Sequence, residues 1–312
     1  MKKILVTGSS GFVGSSLYNL TNSIFELVGL DITQTGVFPA ATIFSWHKLN
    51  HLPSVNTIIH LAGKAHDTKN TTDPQTYFDI NVELTKKIFD YFIDSDAEKF
   101  IFFSSVKAVA DSVEGDFLSE EANPKPLTPY GQSKLEAEKY ILSKQLPEGK
   151  QVYVLRPCMI HGPGNKGNLN LLYKIVKSGY PWPLGAFDNK RSFLSIDNLV
   201  FVLQRLIEND IPSGTYNIAD DDCLSTNQLI QLMGESMNKT PKVWNISPKV
   251  IKSISKIGDI LHLPLNSERL KKLTESYDVS NRKLKTALGI TNMPLTAKDG
   301  MMNTLQSFNN RE

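Results

Sequence analysis

Five short apolar segments in the first half of the chain constrain its fold more than any other feature. They occupy residues 3–6, 26–30, 57–61, 100–103 and 152–155. Longer stretches with helical spacing of apolar residues separate them, at 14–22, 74–94 and 129–144. Strands that are apolar throughout are buried on both faces, as in a parallel sheet covered by helices. The pattern therefore predicts an α/β fold with a parallel, doubly wound sheet and right-handed crossovers.

The second half has a different texture. After about residue 160 come Gly/Pro-rich loops, such as Gly162-Pro163-Gly164, and shorter, more irregular elements. A length of 312 residues also favours about two units of roughly 150 residues each. We predict a first domain over 1–160, to which residues 191–220 return, and a smaller C-terminal α/β lobe over 161–312 that shapes a ligand cleft.

Charge and cysteine content exclude several classes of protein. The chain has 34 Lys and Arg residues against 32 Asp and Glu residues, and its formal net charge is +2. Nucleic-acid-binding proteins need a concentrated basic face, so we expect no nucleic-acid partner. The two cysteines, Cys158 and Cys223, are far apart, and neither is flanked by a further cysteine or by a close set of cysteine and histidine ligands. This predicts neither a disulfide framework nor a metal site, and it fits a reducing compartment.

Membrane spans and secretion signals are not expected. No apolar run reaches the roughly 18 residues that a spanning helix needs, and the run after Met1 is too short for a signal peptide. We therefore predict a cytoplasmic location without a transmembrane segment. One amphipathic helix has lysines opposite its apolar residues, which are Ile251, Ile254, Ile257, Ile260 and Leu261. Packing of these residues on their own domain is the favoured interpretation, and contact with a membrane surface is the alternative.

A glycine-rich turn follows the first predicted strand directly. Gly8, Gly11 and Gly14 are spaced G-x-x-G-x-x-G at the junction between that strand and the first helix. Glycine permits positive φ and close approach of the backbone to a ligand, and the helix offers unpaired N–H groups and the positive end of its dipole. At this junction the motif predicts a site for the diphosphate of a dinucleotide.

An acidic residue ends the second predicted strand. Asp31 lies 17 residues after Gly14, where the adenosine ribose of such a dinucleotide is expected. A carboxylate accepts hydrogen bonds from the ribose hydroxyls and repels a 2′-phosphate, so Asp31 favours NAD over NADP. The alternative is an ordinary aspartate that caps a turn at the end of a strand.

The candidate catalytic residues are a tyrosine, a lysine and a serine. Tyr130 and Lys134 are four residues apart and therefore share one face of a helix. A phenol is a weak base at neutral pH, and a nearby ammonium is expected to lower its pKa. Ser105 follows the 100–103 strand, and its hydroxyl can donate a hydrogen bond to a substrate oxygen on which charge develops.

Together these motifs resemble the extended short-chain dehydrogenase/reductases, specifically the NAD-dependent nucleotide-sugar epimerase/dehydratase branch. The likeness continues through Asn81, the 60–63 strand end, Leu155-Arg156-Pro157, Gly162-Pro163-Gly164 and the segment 191–198. It implies a Rossmann-type sheet, NAD as cofactor and a homodimer that pairs through the helices at 74–94 and 129–144. Apolar residues there, such as Ile88, Phe89 and Phe92, suit either that interface or the core.

The resemblance also implies a role for each site residue. Ser105, Tyr130 and Lys134 would be catalytic, with Tyr130 as the acid/base. The residues that would hold NAD are Gly8, Ser10, Gly11, Phe12, Val13, Gly14, Asp31, Leu61, Ala62, Gly63, Asn81, Tyr130 and Lys134. A UDP-sugar substrate would contact Ser105, Lys107, Asn168 and Arg191, and also Lys166. The Arg191 guanidinium suits the diphosphate oxygens of that substrate.

Two departures from the family pattern narrow the activity. Dehydratases carry an Asp-Glu pair directly after the catalytic hydroxyl residue, whereas this chain has Val106-Lys107, which argues against dehydration. His161 stands where a tyrosine is usual, and we expect it to be a structural replacement. Val106-Lys107-Ala108 is similar to a subgroup that acts on UDP-linked sugars for bacterial surface polysaccharides, including O-antigen.

The sequence therefore predicts an enzyme that epimerises carbon 4 of a UDP-linked hexose or N-acetylhexosamine through a transient 4-keto sugar. The first alternative is an NAD(P)H-dependent reductase of a UDP-4-keto-6-deoxy-N-acetylhexosamine. A sugar carried on a lipid diphosphate is a further variant. From a different class comes a non-catalytic nucleotide-binding scaffold, against which the intact Ser105, Tyr130 and Lys134 argue.

Overall fold

The structure, a computed structural model, describes residues 1–33, 35–64, 73–165, 167–261 and 266–309. Their strands are β1 (Lys3–Thr7), β2 (Glu26–Leu30), β3 (Ile43–Phe44), β4 (Thr57–His60), β5 (Lys99–Phe103), β6 (Gln151–Pro157), β7 (Met159–His161), β8 (Phe193–Ser195) and β9 (Gly214–Ile218). Within the described residues seven strands form one sheet in the order β3-β2-β1-β4-β5-β6-β9, and every pairing is parallel. The predicted doubly wound α/β fold is therefore confirmed.

Helices cover both faces of this sheet and build the second lobe. They are α1 (Phe12–Thr21), α2 (Pro74–Asn81), α3 (Glu83–Asp94), α4 (Pro129–Ser143), α5 (Asn168–Lys177), α6 (Ile196–Glu208), α7 (Thr226–Ser236), α8 (Pro248–Leu261), α9 (Ser267–Thr274), α10 (Arg282–Leu288) and α11 (Ala297–Asn309). The single helical stretch predicted over 74–94 is two helices that meet at Val82. Strand β3 was not predicted, because two residues are too short to show a period.

The core explains why the predicted strands are apolar throughout. Ile4 and Val6 of β1 pack in the layer that contains α1 and α6, whereas Leu5 packs in the opposite layer with α3 and α4. All three side chains are fully buried. Ile88 and Phe89 of α3 are also fully buried against the sheet, as is Phe92, so these residues belong to the core and not to a subunit interface.

The C-terminal lobe has its own core. Strands β7 and β8 pair in parallel, and apolar side chains of α5, α7 and α11 pack together beside them. His161 of β7 is completely buried, and its Nδ1 lies 2.8 Å from Thr304 Oγ1 of α11. This position fits the structural role expected for His161.

The favoured interpretation of the amphipathic segment is wrong for most of its residues. Helix α8 buries Ile251 together with Ser255 and Gly258. Its remaining apolar residues are exposed, namely Val250, Ile254, Ile257, Ile260 and Leu261. The reason is that α8 packs through a face with small residues, which leaves the neighbouring isoleucine face outside the core. Among the helices of the described residues, none is long and apolar enough to cross a bilayer.

Candidate active site

The glycine-rich turn brings three stretches of backbone into contact. Gly8 has φ +69° and donates its N–H to the Leu30 carbonyl at 3.0 Å. A Cβ atom added to Gly8 would lie 2.8 Å from the Ala62 nitrogen, and one added to Gly14 would lie 2.7 Å from the Gly8 oxygen. Gly11 is the N-cap of α1, and no side chain caps that helix. The amides of its first turn can therefore bind an anion.

Asp31 lies at the carboxyl end of β2, directly beside this turn. Its Oδ2 accepts hydrogen bonds from Ser10 N and Ser10 Oγ, both at 2.8 Å, and its Oδ1 accepts one from Ile32 N at 2.7 Å. Each carboxylate oxygen has two lone pairs, so one acceptor position remains, on Oδ1, for a ribose hydroxyl. The geometry fits the role predicted for Asp31 beside a dinucleotide.

A directed chain of hydrogen bonds connects the turn to α2. The Ala62 N–H donates to Thr7 Oγ1 at 3.0 Å, and Thr7 Oγ1 lies 2.7 Å from His60 Nδ1. His60 Nε2 lies 2.9 Å from Thr85 Oγ1, which donates to the Asn81 carbonyl at 2.6 Å. Because the Thr85 hydroxyl donates to that carbonyl, it accepts from His60 Nε2. A neutral imidazole then accepts the Thr7 hydroxyl at Nδ1.

His60 is expected to make the protein lose stability in mild acid. Burial lowers the pKa of His60 to about 3, and the Lys134 ammonium acts in the same direction. Below pH 6.5 the unfolded chain takes up a proton at His60 that the folded protein does not bind. The free energy of unfolding therefore falls as the pH decreases from 6.5 toward 3. Between pH 6.5 and pH 5 the loss is about 2 kcal/mol.

Urea unfolding of the wild type and of His60→Gln at pH 7.5 and pH 5 measures this effect. Glutamine keeps a donor and an acceptor for the two threonines but does not titrate. The stability lost by the wild type between the two pH values is expected to exceed that lost by the variant by about 2 kcal/mol. An equal loss in both proteins would contradict the assignment of a neutral His60.

Asn81 ties the end of β4 to helix α4. Its Oδ1 accepts a hydrogen bond from Lys64 N at 2.7 Å, and its Nδ2 donates to Ser133 Oγ at 3.0 Å. A Cβ atom added to Gly63 would lie 2.8 Å from Asn81 Oδ1 and 3.2 Å from Lys134 Nζ. The residues predicted to hold a cofactor and those predicted to be catalytic therefore meet at Gly63.

Local packing also brings Tyr130 to Ser105. Thr128 caps α4 by accepting the Gly131 N–H at 3.2 Å, which places Tyr130 in the first helical turn. A Cβ atom added to Gly131 would collide with the Lys107 carbonyl, so the start of α4 lies against the turn that follows Ser105. The side chains of Ser105 and Tyr130 are hydrogen-bonded.

The pKa of Tyr130 is shifted in the direction opposite to the one expected from the sequence. Burial raises the pKa of Tyr130, which outweighs the opposing effect of the Ser105 hydrogen bond. Burial also lowers the pKa of Lys134 to about 8, and its Nζ donates to the Phe103 carbonyl at 2.9 Å. The structure therefore holds Tyr130 as a phenol beside a lysine that titrates close to neutral pH.

A buried ion pair behind the catalytic residues was not predicted from the sequence. Arg156 of β6 donates from Nε and Nη2 to the two carboxylate oxygens of Glu138, at 2.9 and 2.5 Å. Ser104 Oγ donates to the same carboxylate, and all three side chains are buried. Glu138 lies one turn after Lys134, and its charge raises the pKa of Lys134 against the effect of burial. Tyr130, Lys134 and Glu138 are spaced by four residues, and this spacing is the sequence signal from which a role for Glu138 near the catalytic residues could have been predicted.

On the other side of the site, Lys107 and Arg191 meet at Tyr277. Lys107 Nζ lies 4.2 Å from the centre of the Tyr277 ring and donates to the Asp111 carbonyl at 2.9 Å. Backbone hydrogen bonds on both sides of Arg191 hold it against Tyr277, and its guanidinium donates to the Lys272 carbonyl. Burial lowers the pKa of Lys107, and the charge of Arg191 adds to this. The two cations therefore lie near each other at Tyr277, an arrangement that suits an anionic group.

Two of the predicted substrate residues are not part of this arrangement. Asn168 is exposed at the first residue of α5, and no contact within the described residues joins it to Lys107 or Arg191. Lys166 lies outside the described residues. Tyr277, by contrast, was not predicted, because it is 170 residues from Lys107 and carries no local motif.

Comparison with known proteins agrees with this geometry. Residues 4–219 match the model of the NAD dependent epimerase/dehydratase family. The chain belongs to this family. It is 30% identical to the UDP-glucose 4-epimerase of Vibrio cholerae, over 99% of this chain and 97% of that protein. It is also 28% identical to an N-acetyl-alpha-D-glucosaminyl-diphospho-ditrans,octacis-undecaprenol 4-epimerase of Escherichia coli O157:H7, over 76% of this chain and 72% of that protein.

A solved structure shows the same fold. The complex of MoeE5 with UDP-glucose and NAD superimposes with a TM-score of 0.75 at 22% identity, over 99% of both chains. Members of the epimerase/dehydratase family are NAD-dependent enzymes. The residues of this chain fit that cofactor, because the glycine-rich turn has space only for backbone and the first turn of α1 lacks a side-chain cap.

Proposed function

We propose that this family member is an NAD-dependent 4-epimerase of a UDP-linked hexose or N-acetylhexosamine that works through a transient 4-keto sugar. The observation that carries the proposal is the hydrogen-bonded pair of Ser105 and Tyr130 beside the buried Lys134, next to the glycine-rich turn. These are a proton-transfer group, a group that orients the substrate and a cation, assembled where a dinucleotide is expected to bind.

The side chains of this family member divide the work between proton transfer and anchoring. When bound, NAD supplies the site that accepts and returns a hydride. In its phenolate form, Tyr130 takes the proton of the carbon-4 hydroxyl and gives it back, while Ser105 shares the hydrogen bond to the same oxygen. Burial favours the phenol form of Tyr130. The phenolate therefore needs a nearby cation, and protonated Lys134, which shares the helix face of Tyr130, would supply that charge. Arg191 and Lys107 would anchor the diphosphate of the substrate while the 4-keto sugar rotates in the site.

Dehydration is not favoured by the residues next to Ser105. A dehydratase places two carboxylates there, whereas Val106 is buried and Lys107 carries its ammonium over the Tyr277 ring. Elimination of water needs an acid and a base at that position. The arrangement therefore supports a reaction that leaves all the hydroxyl groups on the sugar.

Proton NMR of the purified protein with UDP-GlcNAc and a catalytic amount of NAD tests the proposal. The product with the galacto configuration is expected without any added reductant, because an epimerase regenerates its cofactor in each cycle. UDP-glucose is the second substrate to be tried under the same conditions. If neither sugar is converted and a UDP-4-keto-6-deoxy sugar consumes NADPH stoichiometrically, the protein is a 4-ketoreductase and the proposal is wrong.

The carrier of the sugar is tested separately. The resemblance to UDP-sugar enzymes supports a nucleotide, whereas the named substrate of the Escherichia coli relative carries its sugar on undecaprenyl diphosphate. Competitive inhibition of turnover by free UDP is expected for a nucleotide carrier. The absence of any inhibition by UDP would favour the lipid carrier.

We also propose a cytoplasmic enzyme of surface-polysaccharide precursor synthesis that works as a homodimer. The two free cysteines support that location, because a reducing compartment keeps thiols unpaired. The dimer would use the outer faces of α3 and α4, since their inner faces are buried against the sheet. Sedimentation equilibrium measures the oligomeric state.

A further inference from the structure

We propose that helix α8 docks this protein onto the surface of an anionic lipid bilayer. One face of α8 is apolar and exposed. Its residues, spaced by four, three and four positions, are Val250, Ile254, Ile257 and Leu261, which are 49%, 42%, 52% and 62% exposed. Residues at this spacing lie on one face of a helix. This set is called the α8 apolar face below.

The α8 apolar face is separate from the face that holds the helix on the protein. The buried residues are Ile251, Ser255 and Gly258. Ser255 Oγ lies 3.5 Å from Ser267 Oγ, and Asp259 accepts the Ser267 N–H at 2.8 Å, so α8 is fixed against α9. The exposed isoleucines are therefore not needed for this packing, and their burial requires something outside the described chain.

Charge around α8 identifies the partner. The segment 239–261 contains five lysines and a single acidic residue, Asp259, although the whole chain is almost neutral. Lys249, Lys252 and Lys256 are exposed along one side of α8, at intervals of three and four residues. The row lies on the polar side of α8, away from the apolar face, and a helix with this division lies in the interface of a bilayer and is attracted by anionic headgroups.

Trp244, in the segment before α8, also suits contact with a membrane interface. Its side chain is 54% exposed, and it lies four residues before Pro248. The backbone N–H of Trp244 donates to the Trp182 carbonyl at 2.8 Å, and the backbone N–H of Trp182 donates to the Lys242 carbonyl at 2.7 Å. The backbone of this segment is therefore held in place. Tryptophan is enriched at the level of the lipid headgroups, because its ring is apolar and its indole N–H is polar.

The same charges argue against a second copy of the chain as the occupant. In a two-fold symmetric dimer the face of one subunit meets the same face of the other. A dimer through the α8 apolar face would bring together two copies of the segment 239–261, each with five lysines and one acidic residue, and like charges brought close are destabilising. An anionic bilayer neutralises the row and buries the isoleucines at once.

Docking through α8 would also set the orientation of the active site. Helix α9 lies between α8 and Arg191, and the Arg191 guanidinium donates to the Lys272 carbonyl of α9. Arg191, which is proposed to anchor the diphosphate, is therefore one helix away from the docking surface. The inference does not depend on the proposed function, because vesicle binding is measured without substrate.

Flotation of the full-length protein with phosphatidylglycerol-containing vesicles, and with pure phosphatidylcholine vesicles, tests the proposal. The wild type is expected to float with the anionic vesicles. Ile254→Ser/Ile257→Ser is expected to weaken this binding about tenfold or more, because two side chains lose their apolar insertion. The matched control is Leu20→Ser/Ile24→Ser, which changes two side chains that are 45% and 44% exposed near the end of α1. The control is expected to bind like the wild type.

Tryptophan fluorescence gives a second readout at the site. A blue shift on adding anionic vesicles is expected for the wild type and is expected to be lost in Trp244→Phe. Of the other two tryptophans, Trp182 is buried in the lobe core and Trp46 packs against the core of the sheet domain, away from α8. Three results would overturn the proposal. The first is that the wild type does not bind anionic vesicles. The second is that the isoleucine variant binds them as well as its control does. The third is that the wild type self-associates in sedimentation and the isoleucine variant does not.

Discussion

Tyr130→Phe is expected to reduce turnover by about a thousandfold while NAD still binds. The substitution removes only the phenolic oxygen and its hydrogen bond to Ser105. The ring keeps its edge-on packing with Tyr77, whose ring centre is 6.2 Å away. Steady-state kinetics and equilibrium binding of NAD measure the two effects independently.

Tyr140→Phe is the matched control, because it makes the same change on the same helix. The Tyr140 hydroxyl is hydrogen-bonded to Asp90 at 2.6 Å, in an exposed position away from Ser105. Turnover by this variant is expected to equal that of the wild type. A Tyr130→Phe protein with wild-type turnover would rule out Tyr130 as the acid/base, and a loss of NAD binding would point to a structural defect instead.

Arg156→Met is expected to destabilise the protein by about 3–5 kcal/mol. The substitution leaves the Glu138 carboxylate, which is only 1% exposed, without its guanidinium partner. A buried charge that has lost its partner keeps the cost of its desolvation. Urea unfolding measures the difference from the wild type.

The double variant Glu138→Gln/Arg156→Met distinguishes loss of the pair from a packing defect. It removes both charges, so it is expected to be more stable than Arg156→Met alone. A double variant that is no more stable than the single one would show that the charge of Glu138 is not the cause. Equal stability of Arg156→Met and the wild type would contradict a buried ion pair.

The pH dependence of turnover shows whether Glu138 also acts through Lys134. The negative charge of Glu138 raises the pKa of Lys134, so Glu138→Gln is expected to shift the alkaline limb of the profile to lower pH. Glu136→Gln changes an exposed carboxylate on the same helix and is expected to leave the profile unchanged. A purely structural role of Glu138 would lower the amount of active enzyme without moving this limb.

Most of the fold could be predicted from the sequence because its signals are local. The apolar strand at 26–30 begins and ends where predicted, Gly8 and Gly11 lie in the turn between β1 and α1, and Gly14 lies in the first turn of α1. Tyr130 and Lys134 share a helix face because four residues make about one turn. The spacing of these residues along the chain already contained that information.

The surroundings of the same residues were decided by tertiary packing. Glu138 and Arg156 form an ion pair only because α4 lies against β6, and Tyr277 faces Lys107 across 170 residues of chain. Whether the pKa of Tyr130 is raised or lowered depends on how strongly burial competes with the charges around it.

For helix α8 too, the sequence determined one property and tertiary packing decided another. Its sequence determined an amphipathic helix with an apolar face and a row of lysines, because both follow from the helical period. It did not determine which face would be buried, and the structure buries Ile251 and exposes Ile254 and Ile257. Burial is a property of the partner surface, and α9 offers a surface that fits small side chains. Periodicity along a chain therefore fixes what an element can present, and packing decides what it contacts.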